Sequence, residues 1–238
     1  MARGKLKQNK KKSLIVICSE GGKKSSEYYY FRNFTNRDLR IQFSTGNSTD
    51  PKGMLEDLLK YIRNEDIASE DNCKIFLVLD TDLNEKRINE IKEIKSICTD
   101  NNIEIITSSP TFEIWYVMHY RSNGLKFQTS KDVKRELEKL NGTYSENLDM
   151  YKVIKDSTES ARKTAKSIEK QFIKESDDLL NANPHTSIYK ILDTTNEFNS
   201  LNKAKNVLSF LYNLLHKLYI VKKLLQIYKK DLIYDYDL

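Results

Sequence analysis

The chain has 238 residues, of which 39% are hydrophobic and 31% charged, and its formal net charge is +6. These values are typical of a soluble globular protein with one large domain, or one domain plus an appendage. No apolar stretch approaches the roughly 18 residues that argue for a membrane span, and the N-terminus lacks the apolar core of a secretory signal. Three cysteines without metal-ligand spacing, Cys18, Cys73 and Cys98, fit structural thiols in a reducing cytoplasm.

The positive charge is concentrated in the basic tail, residues 1–12. This segment carries six Arg and Lys residues and no acid, so residues 13–238 sum to zero. Such a tail is attracted to phosphates without sequence preference, or it is a solvated, disordered start. Any contact of nucleic acid with the rest of the chain must therefore be local.

Short apolar runs alternate with helical patterns through the first half of the chain. The apolar runs at 13–18 and 75–79 predict buried strands, the alternating segment 39–43 predicts a second strand of the sheet, and residues 103–106 predict a fourth. The patterns between them predict helices at 25–34, from Asp50-Pro51 to about residue 62, and at 85–98. This alternation predicts an α/β fold with a parallel-sheet core and helices on both faces.

The second half of the chain is more polar. In residues 108–120, the segment that follows Pro110 is apolar on nearly every side except at Glu113 and His119, and it predicts a buried helix that starts near Pro110. Residues 121–157 predict a loop-rich insertion with a helix near 130–140. Further helices are predicted at 158–176 and, as a short element, at 187–192. We therefore expect one domain over 13–195, followed by a helical extension over 196–238.

The C-terminal extension has a heptad pattern. From Val207 to Tyr228, apolar residues are spaced alternately by four and three positions, and Leu208, Leu215 and Leu224 broaden this stripe. The pattern predicts an amphipathic helix. Such a helix packs on its own domain, associates with a second copy through 207–228, or binds a partner helix.

Acids follow two of the predicted strands. Glu20 comes after the first strand, and Asp80 and Asp82 come after the third. Parallel sheets form their sites at the carboxyl ends of strands, and strand geometry would place Asp80 and Asp82 on one face. Two close carboxylates repel each other unless a cation lies between them, and Mg²⁺ or Mn²⁺ suits that position. The acids therefore predict a metal site for phosphodiester chemistry, although Asp82 is also suited to capping the next helix.

Three further residues are candidates for supporting roles. Glu27 falls in the first turn of a predicted helix, where it complements the helix dipole or supports the site. Glu113 lies between large apolar residues, and a buried carboxylate needs a partner or a metal. It would serve as a metal ligand, as a general base, or in a buried pair with Arg or Lys. His119 is either a core histidine or an auxiliary residue of the site.

One face of the predicted helix at 158–176 is basic. It carries four lysines at helical spacing, Lys163, Lys166, Lys170 and Lys174. This face is either simply solvated or a contact for the phosphate backbone of DNA or RNA.

An ordered set of short motifs over residues 13–195 resembles the RloB family and the related second component of the AbiL abortive-infection system. The motifs are Cys18-Ser19-Glu20-Gly21, Ser26-Glu27 with Tyr30-Phe31, Asp80-Thr81-Asp82, the run from Ser109 to Trp115 with His119, and Asn183-Pro184-His185-Thr186. The family pattern is similar to Toprim, the fold of topoisomerases, primases and OLD-type nucleases. Toprim proteins bind Mg²⁺ through a glutamate after the first strand and an Asp-x-Asp after the third.

The resemblance implies a Mg²⁺-dependent nuclease of anti-phage defence that acts by abortive infection, often beside an ATPase partner. Glu20, Asp80 and Asp82 would be the catalytic and metal-binding acids, and Glu113 a further acid. The alternative is a catalytically silent module that binds a nucleotide or nucleic acid as a sensor or adaptor. His185 departs from the family pattern, in which a small residue is more usual.

Overall fold

The computed structural model describes residues 12–67, 70, 72–175 and 178–234. Apart from Lys12, the basic tail lies outside these ranges. The described chain divides into one compact unit that ends at Thr195 and a second that starts at Asn196.

Five strands of the described residues form one sheet in the order β2-β1-β3-β4-β5. Their bounds are β1 Ser13–Cys18, β2 Leu39–Phe43, β3 Cys73–Asp80, β4 Ile103–Ser109 and β5 His185–Thr186. The first four strands pair in parallel, which confirms the predicted α/β class and parallel core. The fifth strand pairs antiparallel with β4 and was not predicted, because two residues are too few to show a pattern.

Eight α-helices accompany the sheet in the described ranges. They are α1 Ser26–Phe31, α2 Pro51–Asn64, α3 Glu85–Asp100, α4 Ile114–Val117, α5 Ser130–Asn141, α6 Tyr151–Ile154, α7 Thr158–Glu175 and α8 Tyr189–Tyr234. Several starts follow from local chemistry, since the side chains of Ser25, Asp50, Asn84 and Thr129 each accept a hydrogen bond from a backbone N–H of the helix that they precede. Helix α5 confirms the helix predicted near 130–140.

Three helix predictions were wrong in extent. The helix at 25–34 is split into α1 and a 3₁₀ turn at Arg32–Phe34. The helix predicted from near Pro110 to residue 120 consists mostly of turns, because only α4 is α-helical, although Phe112 to Met118 are buried as expected. The short helix at 187–192 is the first turns of α8, which continues because no Gly or Pro interrupts it.

Both faces of the sheet are covered. Leu14, Val16, Leu77 and Leu79 face one side and pack in a core with apolar residues of α2 and α3. Successive strand residues point to opposite faces, so Ile15, Ile17, Phe76 and Val78 face the other side. These four are at most 1% exposed, which explains why the strands are almost continuously apolar in sequence.

The second unit, taken by itself, is the part of α8 after Thr195. Its large apolar residues between Leu201 and Val221 are 43–70% exposed. Leu225 and Tyr228 of the heptad pattern lie beyond the described side chains, and self-association through 207–228 stays a prediction. No described helix combines the length and apolar character that crossing a bilayer would require.

Candidate active site

Six acidic side chains line one cavity of about 420 Å³ at the carboxyl ends of β1 and β3: Glu20, Glu27, Asp80, Asp82, Glu113 and Glu146. The fold thus brings together the four acids predicted as catalytic and one of the two auxiliary residues, Glu27. Lys24 and Lys134 also line the cavity. The described lining of the cavity is therefore strongly acidic, with six acids against two lysines.

The backbone after β1 turns sharply enough to place two glutamates at the cavity. Glu20 follows the strand by two residues, and Gly21 then adopts a φ of +78°, a conformation that glycine tolerates at little steric cost. This turn lets α1 begin at Ser26, so that Glu27 lies in its first turn and lines the same cavity.

The two aspartates do not share a strand face, and the prediction that they would was wrong. Strand β3 ends at Asp80, and Asp82 has a left-handed φ of +51°, which breaks the strand period. The side chain of Asn84, rather than Asp82, caps α3 by accepting a hydrogen bond from Arg87 N. Helix capping therefore does not explain Asp82.

Arg87 is the positive charge between the acids. Its Nη2 lies 2.7 Å from Glu20 Oε2, and its Nε lies 3.8 Å from Asp82 Oδ2. The same Nε donates to the carbonyl oxygen of Asp80 at 2.5 Å, and Nη1 donates to that of Thr49 at 3.0 Å. Sequence reasoning missed Arg87. The available signal was a cation in the first turn of α3, where the helix dipole disfavours it.

A second group of carboxyls lies deeper in the cavity. Glu27 and Glu113 are 6% and 3% exposed. Thr111 Oγ1 lies 2.9 Å from Asp80 Oδ2 and 2.7 Å from Glu113 Oε2. The other carboxyl oxygen of Asp80, Oδ1, is buried without a hydrogen-bond partner among the described atoms.

Glu113 is held from both sides. Its Oε1 accepts hydrogen bonds from Ser26 Oγ at 2.9 Å and from the Tyr144 hydroxyl at 2.6 Å, and Lys134 Nζ lies 4.0 Å away. Tyr144 and Lys134 belong to the segment 121–157, which was predicted as a loop-rich insertion with a helix near 130–140 and without any residue of the site. Nothing in the local sequence pattern marked Tyr144 as part of the site.

Burial and the repulsion of neighbouring charges raise the pKa values of Glu27 and Asp80. The pKa of Glu27 rises to about 8, mainly because of burial and further because of the charges of Glu113 and Glu20. Hydrogen bonds from its own backbone N–H and from Ser25 lower the pKa and offset part of this rise. Burial is also the main reason for the raised pKa of Asp80, followed by the charges of Glu27 and Glu113. Without a cation, the cavity therefore retains protons at neutral pH.

The chemistry of these donors fits a hard divalent cation. Carboxylate oxygens are the ligands that Mg²⁺ prefers. Buried polar atoms normally have a partner, and a cation would supply one for Asp80 Oδ1. As the described side chains stand, however, no three His, Cys, Asp or Glu residues are grouped closely enough to hold a metal ion. Metal binding would require Glu20 or Glu27 to turn towards Asp80, and for Glu20 this means leaving Arg87.

His119 does not line the acidic cavity. It is 7% exposed, its Nδ1 lies 2.8 Å from the carbonyl oxygen of Trp115, and its ring packs edge-on against the Trp115 ring at 4.8 Å. Burial lowers its pKa to about 4, so it is neutral at pH 7. These contacts are those of a core histidine, and an auxiliary role for His119 has no contact with the acids to support it.

The four lysines predicted to contact nucleic acid are all exposed on α7. Lys166 is partly engaged, since its Nζ lies 2.9 Å from Asp193 Oδ2 and 5.0 Å from the centre of the Tyr189 ring. Lys163, Lys170 and Lys174 remain candidates for phosphate contact.

The family assignment rests on a match to a whole-domain model. The model described as RloB-like protein matches residues 15–194, which is more than half of the chain. The chain belongs to the RloB-like family. The match confirms the resemblance seen in the motifs. The matched range contains all six acids of the cavity, whereas most of α8 lies outside it. No curated protein and no solved structure shows a significant match.

Proposed function

We propose that this RloB-like protein is a metal-dependent nuclease of the Toprim type that acts in the cytoplasm in anti-phage defence. The observation that carries the proposal is the cavity at the carboxyl ends of β1 and β3, lined by six acids, with the buried Asp80 Oδ1 left without a partner. Acids concentrated in this way at the carboxyl edge of a parallel sheet suit a cation-dependent reaction on phosphate esters.

Asp80, Glu20 and Asp82 would hold Mg²⁺ or Mn²⁺, and Glu27, which lines the same cavity, would be a further ligand after turning towards Asp80. A bound divalent ion would stabilise negative charge on the phosphoryl group and help to deprotonate an attacking water. Glu113, fixed by Ser26, Thr111 and Tyr144, is the candidate for moving a proton. Lys24 and Lys134 would attract the phosphate to the cavity.

The proposal is tested by cleavage of labelled single-stranded and double-stranded DNA and RNA with Mg²⁺ or Mn²⁺. Asp80→Asn should reduce the rate by about a hundredfold or more, because it removes a carboxylate that would hold the metal ion. A hundredfold loss corresponds to about 2.7 kcal/mol of transition-state stabilisation. Asp100→Asn is the matched control, since Asp100 is an exposed aspartate at the far end of α3. Equal cleavage by Asp80→Asn and wild type would rule out this assignment.

A second candidate function is a silent sensor or adaptor that binds nucleotide or nucleic acid and works with an ATPase partner. The ion pair between Arg87 and Glu20 favours it, because a guanidinium already neutralises an acid that a catalytic metal would need. Calorimetric titration with Mn²⁺ and oligonucleotides separates the two functions. Tight binding of an oligonucleotide without turnover, under every metal condition, supports the silent module.

A further inference from the structure

The first unit contains a second cavity, of about 650 Å³, that shares no lining residue with the acidic one. It lies beside the second half of α3 and reaches Lys74 and Ile103 near the amino ends of β3 and β4, opposite the strand ends that carry the acids. Part of its lining is apolar, with Ile75, Ile91, Ile103, Ile105 and Leu180. We call this cavity the lysine groove.

The lysine groove has an excess of positive charge. Lys74, Lys92, Lys95 and Lys190 line it, against the carboxylates of Glu104 and Asp178. Lys92 Nζ pairs with Asp178 Oδ2 at 2.6 Å, and Lys190 Nζ lies 3.5 Å from Glu169 Oε1. Within the described ranges, neither Lys74 nor Lys95 has a carboxylate at ion-pair distance, so both charges are available to an anion.

One buried polar atom of the lysine groove has no partner. His185 lines the groove and is 1% exposed, and its Nδ1 makes no hydrogen bond to any described atom. Buried ring nitrogens are almost always hydrogen-bonded to protein, water or ligand. Because burial lowers the pKa of His185 to about 4, the ring is neutral at pH 7 and offers a hydrogen bond rather than a charge.

These features limit the chemistry of the ligand. The volume is much larger than a single inorganic anion needs and falls within the range of about 300–1,000 Å³ for small-molecule sites. The apolar lining requires a ligand with an apolar face, and the free lysines require negative charge. A fatty acid would satisfy both conditions but would leave the His185 nitrogen without a partner. A planar heterocycle joined to phosphate meets all three conditions.

We propose that the lysine groove binds a nucleotide, with its base against the isoleucines, its phosphate at Lys74 and Lys95, and a polar group of base or sugar bonded to His185 Nδ1. This site is separate from the acidic cavity and does not depend on nuclease activity. It would give the protein a small-molecule ligand in addition to any substrate at the acids.

The test is calorimetric titration of the full chain with AMP and ATP in a chelating buffer, so that no metal occupies the acidic cavity. We expect Lys74→Ala/Lys95→Ala to weaken nucleotide binding at least tenfold. The matched control is Lys126→Ala/Lys155→Ala, which removes two exposed lysines outside the groove and should bind as wild type does. Asp80→Asn should also bind normally, which separates this proposal from the nuclease.

Two further titrations test the ligand class. Inorganic pyrophosphate should bind at least tenfold more weakly than the nucleotides, because it cannot use the apolar lining. His185→Phe, which keeps the ring volume but removes both nitrogens, should weaken nucleotide binding while the circular dichroism spectrum stays unchanged. The proposal is overturned if neither nucleotide binds at about 1 mM, if the double lysine variant binds as wild type does, or if pyrophosphate binds as tightly as the nucleotides.

Discussion

Replacing Glu27 by Gln should remove an unusual pH dependence of stability. Glu27 is 6% exposed, and the pKa of its carboxyl is raised from the ordinary 4.5 to about 8 in the folded protein. In the unfolded chain the same carboxyl is ionised above about pH 4.5. Gln has nearly the same shape as a protonated Glu but cannot ionise, so the variant isolates the contribution of this one proton.

The sign and size of this pH dependence of stability follow from the difference in bound protons between the folded and unfolded states. Below pH 4.5 the carboxyl is protonated in both the folded and the unfolded state, so it does not make the free energy of unfolding depend on pH. Between pH 4.5 and 8 the folded state keeps a proton that the unfolded state has lost, so the free energy of unfolding falls by about 1.4 kcal/mol per pH unit. From pH 5 to pH 7 the contribution of Glu27 is therefore a loss of about 3 kcal/mol, and above pH 8 the loss is complete.

The measurement is urea unfolding at pH 5, 6 and 7 with a chelator present, followed by circular dichroism. Wild type should lose stability across this range, and Glu27→Gln should lose about 3 kcal/mol less. Glu138→Gln, an exposed glutamate on α5, is the control and should follow wild type. Parallel pH profiles for Glu27→Gln and wild type would refute the claim that this carboxyl is buried among other acids.

The other predictions concern packing, the support of Glu113, and α8. Tyr144→Phe removes the hydroxyl that donates to Glu113 and should lower the free energy of unfolding by about 1–3 kcal/mol in urea titrations; no change would mean that this hydrogen bond does not form. Trp115→Ala empties a fully buried site and should cost about 3–5 kcal/mol, measured in the same way. Leu211→Glu/Leu218→Glu should convert an oligomer into a monomer in light scattering, and an unchanged mass would argue against association through this face.

The sheet was predictable from the sequence mainly through the central strands β1 and β3, whose apolar residues are largely buried, whereas the edge strand β2 has exposed and half-buried positions. Continuous apolar runs such as 13–18 and 75–79 result directly from that burial. The placement of Glu20 and Asp80 at one edge then followed from parallel topology alone. Helix ends were less predictable, since capping and turns decide them, and the continuous α8 was taken for two separate segments.

The details of the acidic cavity depend on contacts between residues that are distant in sequence. The left-handed backbone at Asp82 has no signature in the motif itself. Arg87 reaches Glu20 across 67 positions, and Tyr144 reaches Glu113 across 31. Periodicity describes only which face a residue occupies within its own element, so it predicted where the acids gather and not which side chains fix them.

The hydroxyl of Thr111 has a consequence for how any divalent ion would enter. This oxygen is within hydrogen-bond distance of both Asp80 and Glu113, yet a hydroxyl has only one hydrogen to give. One of the two acids must therefore supply the hydrogen for the second contact. An arriving cation would have to expel it, so ion uptake should acidify an unbuffered solution, and affinity for the ion should increase as the medium becomes more alkaline.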